Sequence, residues 1–171
     1  MLRLRPYKPC DAEKILGWCM DERKFRLWTS DRYDSYPISA EDMNHKYIHL
    51  NGDCPDPENF FPLTAFDESG AVGHLILRFT DEEKKVLRIG FVILDSTKRG
   101  KGLGSEMIRL ALKYSFEILG AERVTIGVFD SNPAACYCYK AAGFTESAEQ
   151  PRFQYSYGGE TWNVIELELN R

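Results

Sequence analysis

The chain has no apolar run long enough to span a bilayer and no charged-then-apolar leader at its start, so it is expected to be soluble and cytoplasmic, without a membrane partner. An excess of basic residues is missing as well: 22 Lys and Arg face 26 Asp and Glu, for a formal charge of −4. That argues against nucleic acid as a main partner, because neutralising phosphates takes clustered cations. An acidic balance favours a cationic substrate such as an amine. Cysteine is present but unorganised. Cys10, Cys19, Cys54, Cys136 and Cys138 follow neither metal-site nor disulfide spacing, and an odd count without a secretion signal predicts free thiols in a reducing compartment. His45 and His49 stand four apart on a predicted helix, a spacing zinc sites use, but no third ligand accompanies them. No metal is expected there. Repeats, linkers and low-complexity segments are also lacking, and 171 residues suffice for one domain, 1–171, with a full core.

What is there divides into a helical front, a strand-rich middle and a mixed end. Leu2-Arg3-Leu4-Arg5 alternates as a half-buried strand does and ends at Pro6. Asp11 is placed to cap a helix carrying Ile15, Leu16, Trp18 and Cys19, and Ser39 with Asp42 to cap another carrying Met43, Tyr47, Ile48 and Leu50. Between them, residues 21–37 show no clean period and are dense in aromatics and charge. Three apolar runs, 61–66, 72–79 and 86–94, are separated by short polar stretches and predict an antiparallel meander. In the third, Leu87, Ile89, Phe91 and Ile93 alternate with Arg88, Gly90, Val92 and Leu94, and the second set is expected near a ligand. Helical spacing then runs from Leu103 until Gly120 stops it, a strand from Arg123 to Phe129, and a helix over Ala134 to Ala142, started by Pro133 and ended by Gly143. Two more strands, 144–148 and 161–169, follow, with 153–159 as their connection. The sum is an α+β chain with a mixed sheet of about seven strands and four main helices.

Within this order Arg99-Gly100-Lys101-Gly102-Leu103-Gly104-Ser105 is the chemically informative stretch. Glycines let a backbone turn sharply and let an anion approach the amides. A helix opening directly behind such a loop presents unpartnered N–H groups and the positive end of its dipole, which is a phosphate-binding geometry. The spacing is wrong for a P-loop, because Lys101 is followed by Gly102. It is also wrong for a dinucleotide fingerprint, whose third glycine falls one residue later.

Arg-x-x-Gly-x-Gly after a strand resembles the pyrophosphate loop of the GNAT superfamily of acetyl-CoA-dependent N-acetyltransferases. A second motif strengthens the likeness: Asn132-Pro133-Ala134-Ala135, then Tyr139, then Ala142-Gly143-Phe144. The resemblance implies the three-layer GNAT fold over nearly the whole chain and acetyl-CoA as cosubstrate. Amides from Arg99 through Gly100, Lys101, Gly102, Leu103, Gly104 and Ser105 would cradle the pyrophosphate. Val92 and Leu94 would pair with the pantetheine arm as a further strand, and Asn132 would bond its amides, cap the helix behind it, or do both. Tyr139 would attend the leaving thiolate as the catalytic group. Trp28, Tyr33 and Tyr36 fall where the family builds its acceptor pocket, and could instead form a small satellite core. The front half is also similar, diffusely, to the subgroup that acetylates ribosomal-protein N-termini.

One departure stands out. Where many relatives carry an acidic base early in the fourth strand, this chain has Arg88, which stays charged and cannot accept a proton. His74, Glu166, Asp130 and a water relay are the remaining candidates. Deprotonating a lysine-like amine at pH 7 costs about 4.6 kcal/mol and an α-amine about 1 to 1.4, so the missing base favours an easily deprotonated acceptor. The acceptor, whether protein N-terminus or small-molecule amine, stays open, as does a monomer or homodimer. A non-catalytic acyl-CoA sensor is the competing reading.

Overall fold

Period-two alternation puts three consecutive strands into one ladder: β2 (Phe61–Asp67), β3 (Gly70–Phe79) and β4 (Val86–Leu94) pair antiparallel, as the meander reading expects. The computed structural model describes residues 1–149 and 153–171. β1 (Arg3–Pro6) joins the outer side of β2. β5 (Arg123–Phe129) runs parallel to β4, and β8 (Glu160–Asn170) and the short β6 (Thr145–Glu146) complete the order β1-β2-β3-β4-β5-β8-β6. An eighth strand, β7 (Gln154–Tyr157), lies in the expected connection and pairs with the front of β8. Gly158 and Gly159, with φ of +58° and +82°, make the two-residue hairpin turn that brings it back.

The helices are α1 (Ala12–Leu16), α2 (Glu22–Thr29), α3 (Ala40–Asn44), α4 (Leu103–Lys113) and α5 (Pro133–Ala141). α3 and α4 each continue into a π-turn, His45–His49 and Tyr114–Ile118. α2 is the element missed in the aperiodic front stretch. Its cap is Asp21, whose carboxylate accepts from the Lys24 amide at 2.8 Å, and its buried residues are Phe25, Arg26 and Thr29 on a helix that opens with three charged residues. Asp11 is not a cap. It is buried and accepts from both Arg5 Nη atoms at 2.7 Å, from the Lys8 amide at 2.9 Å and from Thr64 Oγ1 at 2.8 Å. Thus it ties the chain start to β2.

Two apolar clusters cover the two faces of the sheet. One gathers Leu75, Leu77, Leu87, Ile89 and Ile126 under Met107 and Ile108 of α4 and Tyr139 of α5. The other packs Ile15, Met43 and Tyr47 against Ile76 and Ile93. β4 belongs to both. Ile76 opposes Gly90 and His74 opposes Ile93, so Phe91 and Val92 together face Leu75 in a β-bulge, with Phe91 at φ +50°. The extra residue exchanges the strand's faces. The expected set Leu87, Ile89, Phe91 and Ile93 is therefore split: Leu87 and Ile89 join Val92 in the first cluster, and Phe91 and Ile93 turn to the second. Trp28 Nε1 donates to the Phe91 carbonyl at 2.8 Å and pins the bulge to α2.

Candidate active site

β4 and β5 pair only from Val86/Arg123 to Ile89/Ile126. Beyond that point they part, because the bulge turns β4 away while β5 stays with β8 through Phe129/Val164. The gap is a cleft of about 1030 Å³, at the upper end of the size of small-molecule sites. Val92, Leu94, Arg99, Gly100, Gly102, Gly104, Ser105, Asn132, Tyr139 and Trp28 all line it. Lys101 and Leu103 belong to the same loop without being lining residues. Tyr33 and Tyr36 sit elsewhere, stacked against Phe25 at 5.8 and 5.1 Å between ring centres. Phe25 in turn meets Trp28 edge-on at 6.1 Å.

The loop at the cleft mouth fits a phosphorylated ligand. Gly100 and Gly102 have φ of +77° and +76°, and a Cβ built on either would meet nothing within 4 Å. The glycines therefore serve the left-handed turn and leave open space over the amides. Gly102 is the N-cap of α4, and no side chain caps that helix, so its first amides are left for an anion. α5 differs. Asn132 Oδ1 accepts from the Ala135 amide at 3.3 Å, which makes Asn132 a true cap, and the same residue lines the cleft. Gly104 has a further reason to be glycine: a Cβ there would sit 3.1 Å from Cys138 Sγ, where α4 and α5 touch.

Tyr139 is buried in the first cluster and reaches the same cleft. Burial pushes its phenol well above the usual range, with Cys138 and Cys136 adding to it. Two cysteines, Cys19 and Cys138, also line the cleft, a placement that their spacing does not signal. The Cys19 thiol is pushed up to about 12 by burial, so it stays protonated and is a poor nucleophile.

The three side chains among the base candidates are each engaged. His74 is fully buried, bonded through Nε2 to the Tyr47 hydroxyl at 2.8 Å, and held down at about 3 by desolvation. Asp130 accepts from the amide and side chain of Asn163 at 3.0 and 2.9 Å. Glu166 of β8 takes both Nη atoms of Arg88, which crosses β5 to reach it. It crosses above Gly127, where a Cβ would lie 2.5 Å from Nη2. Gly127 was missed in the sequence, yet a glycine inside a β-branched strand is the usual sign of such a close approach.

Charge in the cleft is the reverse of charge in the chain. Among the described residues the lining carries seven basic side chains and one acidic one, Asp53, itself paired with Lys46. No helix of the described residues is long and apolar enough to cross a membrane.

Comparison with known proteins agrees with this geometry. The N-acetyltransferase 9-like protein of Caenorhabditis briggsae is 27% identical over 161 residues, covering 88% of this chain and 78% of the relative. The spermidine N(1)-acetyltransferase of Vibrio cholerae is 26% identical over 147 residues, covering 85% and 79%. The crystal structure of the V. cholerae spermidine N-acetyltransferase in complex with CoA and spermine superposes with a TM-score of 0.80 at 20% identity, over 99% of this chain and 95% of that one. The sequence model of the acetyltransferase (GNAT) family matches residues 22–144, which takes in the splayed strand, the glycine loop and both site helices, and the chain belongs to that family.

Proposed function

We propose that this chain moves an acetyl group from acetyl-CoA directly onto a primary amine of a small molecule, in a ternary complex within the cleft. The observation that carries the reading is the parting of β4 from β5 beyond Ile89 and Ile126, immediately beside the uncapped start of α4. An extended, phosphorylated cosubstrate can lie as a strand in the gap with its phosphates on the helix end. In this reading residues 99–105 hold the pyrophosphate, with Arg99 and Lys101 adding charge. Val92 and Leu94 align the pantetheine arm, and Asn132 Nδ2 bonds its amides. When bound, acetyl-CoA supplies the activated thioester.

Tyr139 keeps its proton throughout. A thiol titrates near ~8.5 and an unperturbed phenol near ~10, a gap of about 2 kcal/mol, and burial widens it here. The hydroxyl therefore stabilises the departing sulfur by donating a hydrogen bond, without completing a transfer. The protonated Cys19 supports direct attack by the amine over a thiol relay. Trp28 forms the acceptor wall, and Tyr33 and Tyr36 support it through Phe25. Five free cysteines support a reducing, cytoplasmic setting.

The test is thiol release from acetyl-CoA by the purified protein against a panel of small amines, with acetyl-CoA binding measured by calorimetry. Acceptor-dependent release is expected. Binding without release for any amine would leave only an acyl-CoA sensor, and absence of binding would remove the cleft assignment.

A further inference from the structure

The cations of the cleft are not spread evenly. Arg99 belongs to the glycine loop, whereas Arg23, Lys24 and Arg32 come from α2 and the turn after it, and Arg78 and Arg88 from the sheet floor. Most have a counter-ion: Arg23 has Glu160 at 3.2 Å, Lys24 has Asp21 at 3.8 Å, Arg32 has Asp31 at 3.9 Å, and Arg88 has Glu166. Arg78 forms no ion pair or side-chain hydrogen bond among the described residues, and it is only partly exposed. It also stands directly opposite Arg88 across the β3–β4 ladder, so the two guanidinium groups share one face. Like charges in that position repel. Glu166 answers one of the two, and nothing among the described residues answers the other.

Arg88 lies one residue before the last β4–β5 pair, Ile89/Ile126. Arg78 is therefore one strand away from the point where the cleft opens. On the α2 side the wall is aromatic and cationic. A polyamine brings only positive charge to such a surface. An acceptor with a carboxylate or phosphonate beside its amine brings the missing counter-ion, with two oxygens placed to accept from the paired N–H donors of a guanidinium. The surplus positive charge has a second effect, since a like charge nearby disfavours the ammonium form of the acceptor. That eases deprotonation in a site whose acidic and histidine side chains are already engaged.

We propose that the amine acceptor carries an anionic group and that Arg78 is the residue that selects for it. This rests on the transferase reading above and narrows its substrate class to amino acids and similar zwitterionic amines. Whole-chain charge points the other way, because among the described residues every acidic side chain but Asp53 lies outside the cleft lining.

The experiment compares thiol release with L-glutamate and L-methionine, with the amides of the same amino acids, and with spermidine, using wild type, Arg78→Gln and Arg78→Lys. The wild type should favour the carboxylates over the amides by about tenfold or more in kcat/KM, the size of a charge-assisted hydrogen bond, with spermidine poorest. Arg78→Gln should bring that ratio close to one through KM for the acceptor, leaving KM for acetyl-CoA unchanged, and Arg78→Lys should restore part of it. Succinate, an anion without an amine, should compete with the acceptor in the wild type and not in Arg78→Gln. Amides or spermidine turned over as well as the carboxylates would overturn anion selection while the transferase stands, as would a preference that survives Arg78→Gln. Bound acetyl-CoA with no thiol release for any acceptor would overturn both.

Discussion

Along the α4–α5 wall the cleft offers backbone, and along the α2–β3 wall it offers side chains. The first wall is made of left-handed glycines, uncapped helix amides and one capping Asn; its chemistry depends on where the chain turns. The second is made of guanidinium groups and aromatic rings from separate elements, and depends on how those elements pack. A backbone site can be broken only by changing the path of the chain, whereas a side-chain site can be retuned one residue at a time.

The sharpest way to break the first wall is Gly102→Val. A β-branched residue at φ +76° is strained, and the turn that presents the amides should shift. The dissociation constant for acetyl-CoA is expected to rise about 100-fold, ~2.7 kcal/mol, by calorimetry, with the folded state retained. The second wall is tested by Arg88→Ala, which removes the two charge-assisted hydrogen bonds that Arg88 donates to Glu166. The side chains are 28% and 11% exposed, so the loss should fall below that of a fully buried pair, at about 2 kcal/mol in urea unfolding. Arg88→Met with Glu166→Gln should recover much of it.

A smaller effect is expected where the two walls meet. Tyr139→Phe should lower kcat about tenfold, ~1.4 kcal/mol, without altering acetyl-CoA affinity; an unchanged kcat would take Tyr139 out of the chemistry. The last effect is a slope with pH rather than a single step, and concerns His74 behind the second wall. Its folded value of about 3 lies below the ordinary 6.5, so between these limits the unfolded chain binds a proton that the folded one does not. Stability should therefore fall as pH drops from 6.5 towards 4, by about 1 kcal/mol per pH unit. His74→Gln should flatten that slope. Asp11, held below 3.8 despite burial by Arg5, Lys8 and Thr64, loses its contribution only under lower pH, so the two windows separate.

The same division explains what could be read before the structure. The placing of Gly100, Gly102, Asn132 and Tyr139 around one cleft was legible because each lies within a few residues of a helix start or on one helix face, where spacing carries meaning. The meander and the late helices were legible for the same reason. Tyr33 and Tyr36 were not, since nothing in an aromatic-rich stretch says which ring faces a cleft and which backs onto Phe25. Arg78 and Gly127 were missed because their significance arises across strands, from Arg88 opposite one and passing over the other. The bulge at Phe91 was invisible in a run whose residues are apolar on both faces, so that alternation could not reveal the slip.

That bulge has a consequence for how the molecule comes apart. A strand that spends its first half in one apolar cluster and its second half in the other cannot leave either one alone. With Trp28 latched to the Phe91 carbonyl, loosening the α1–α3 side pulls on the hydrogen bonds that hold β4 beneath α4. The two cores are thus expected to melt as a single cooperative unit, with one calorimetric transition, and a cavity such as Met43→Ala should lower that transition for the glycine loop as well, although the loop touches none of the atoms removed.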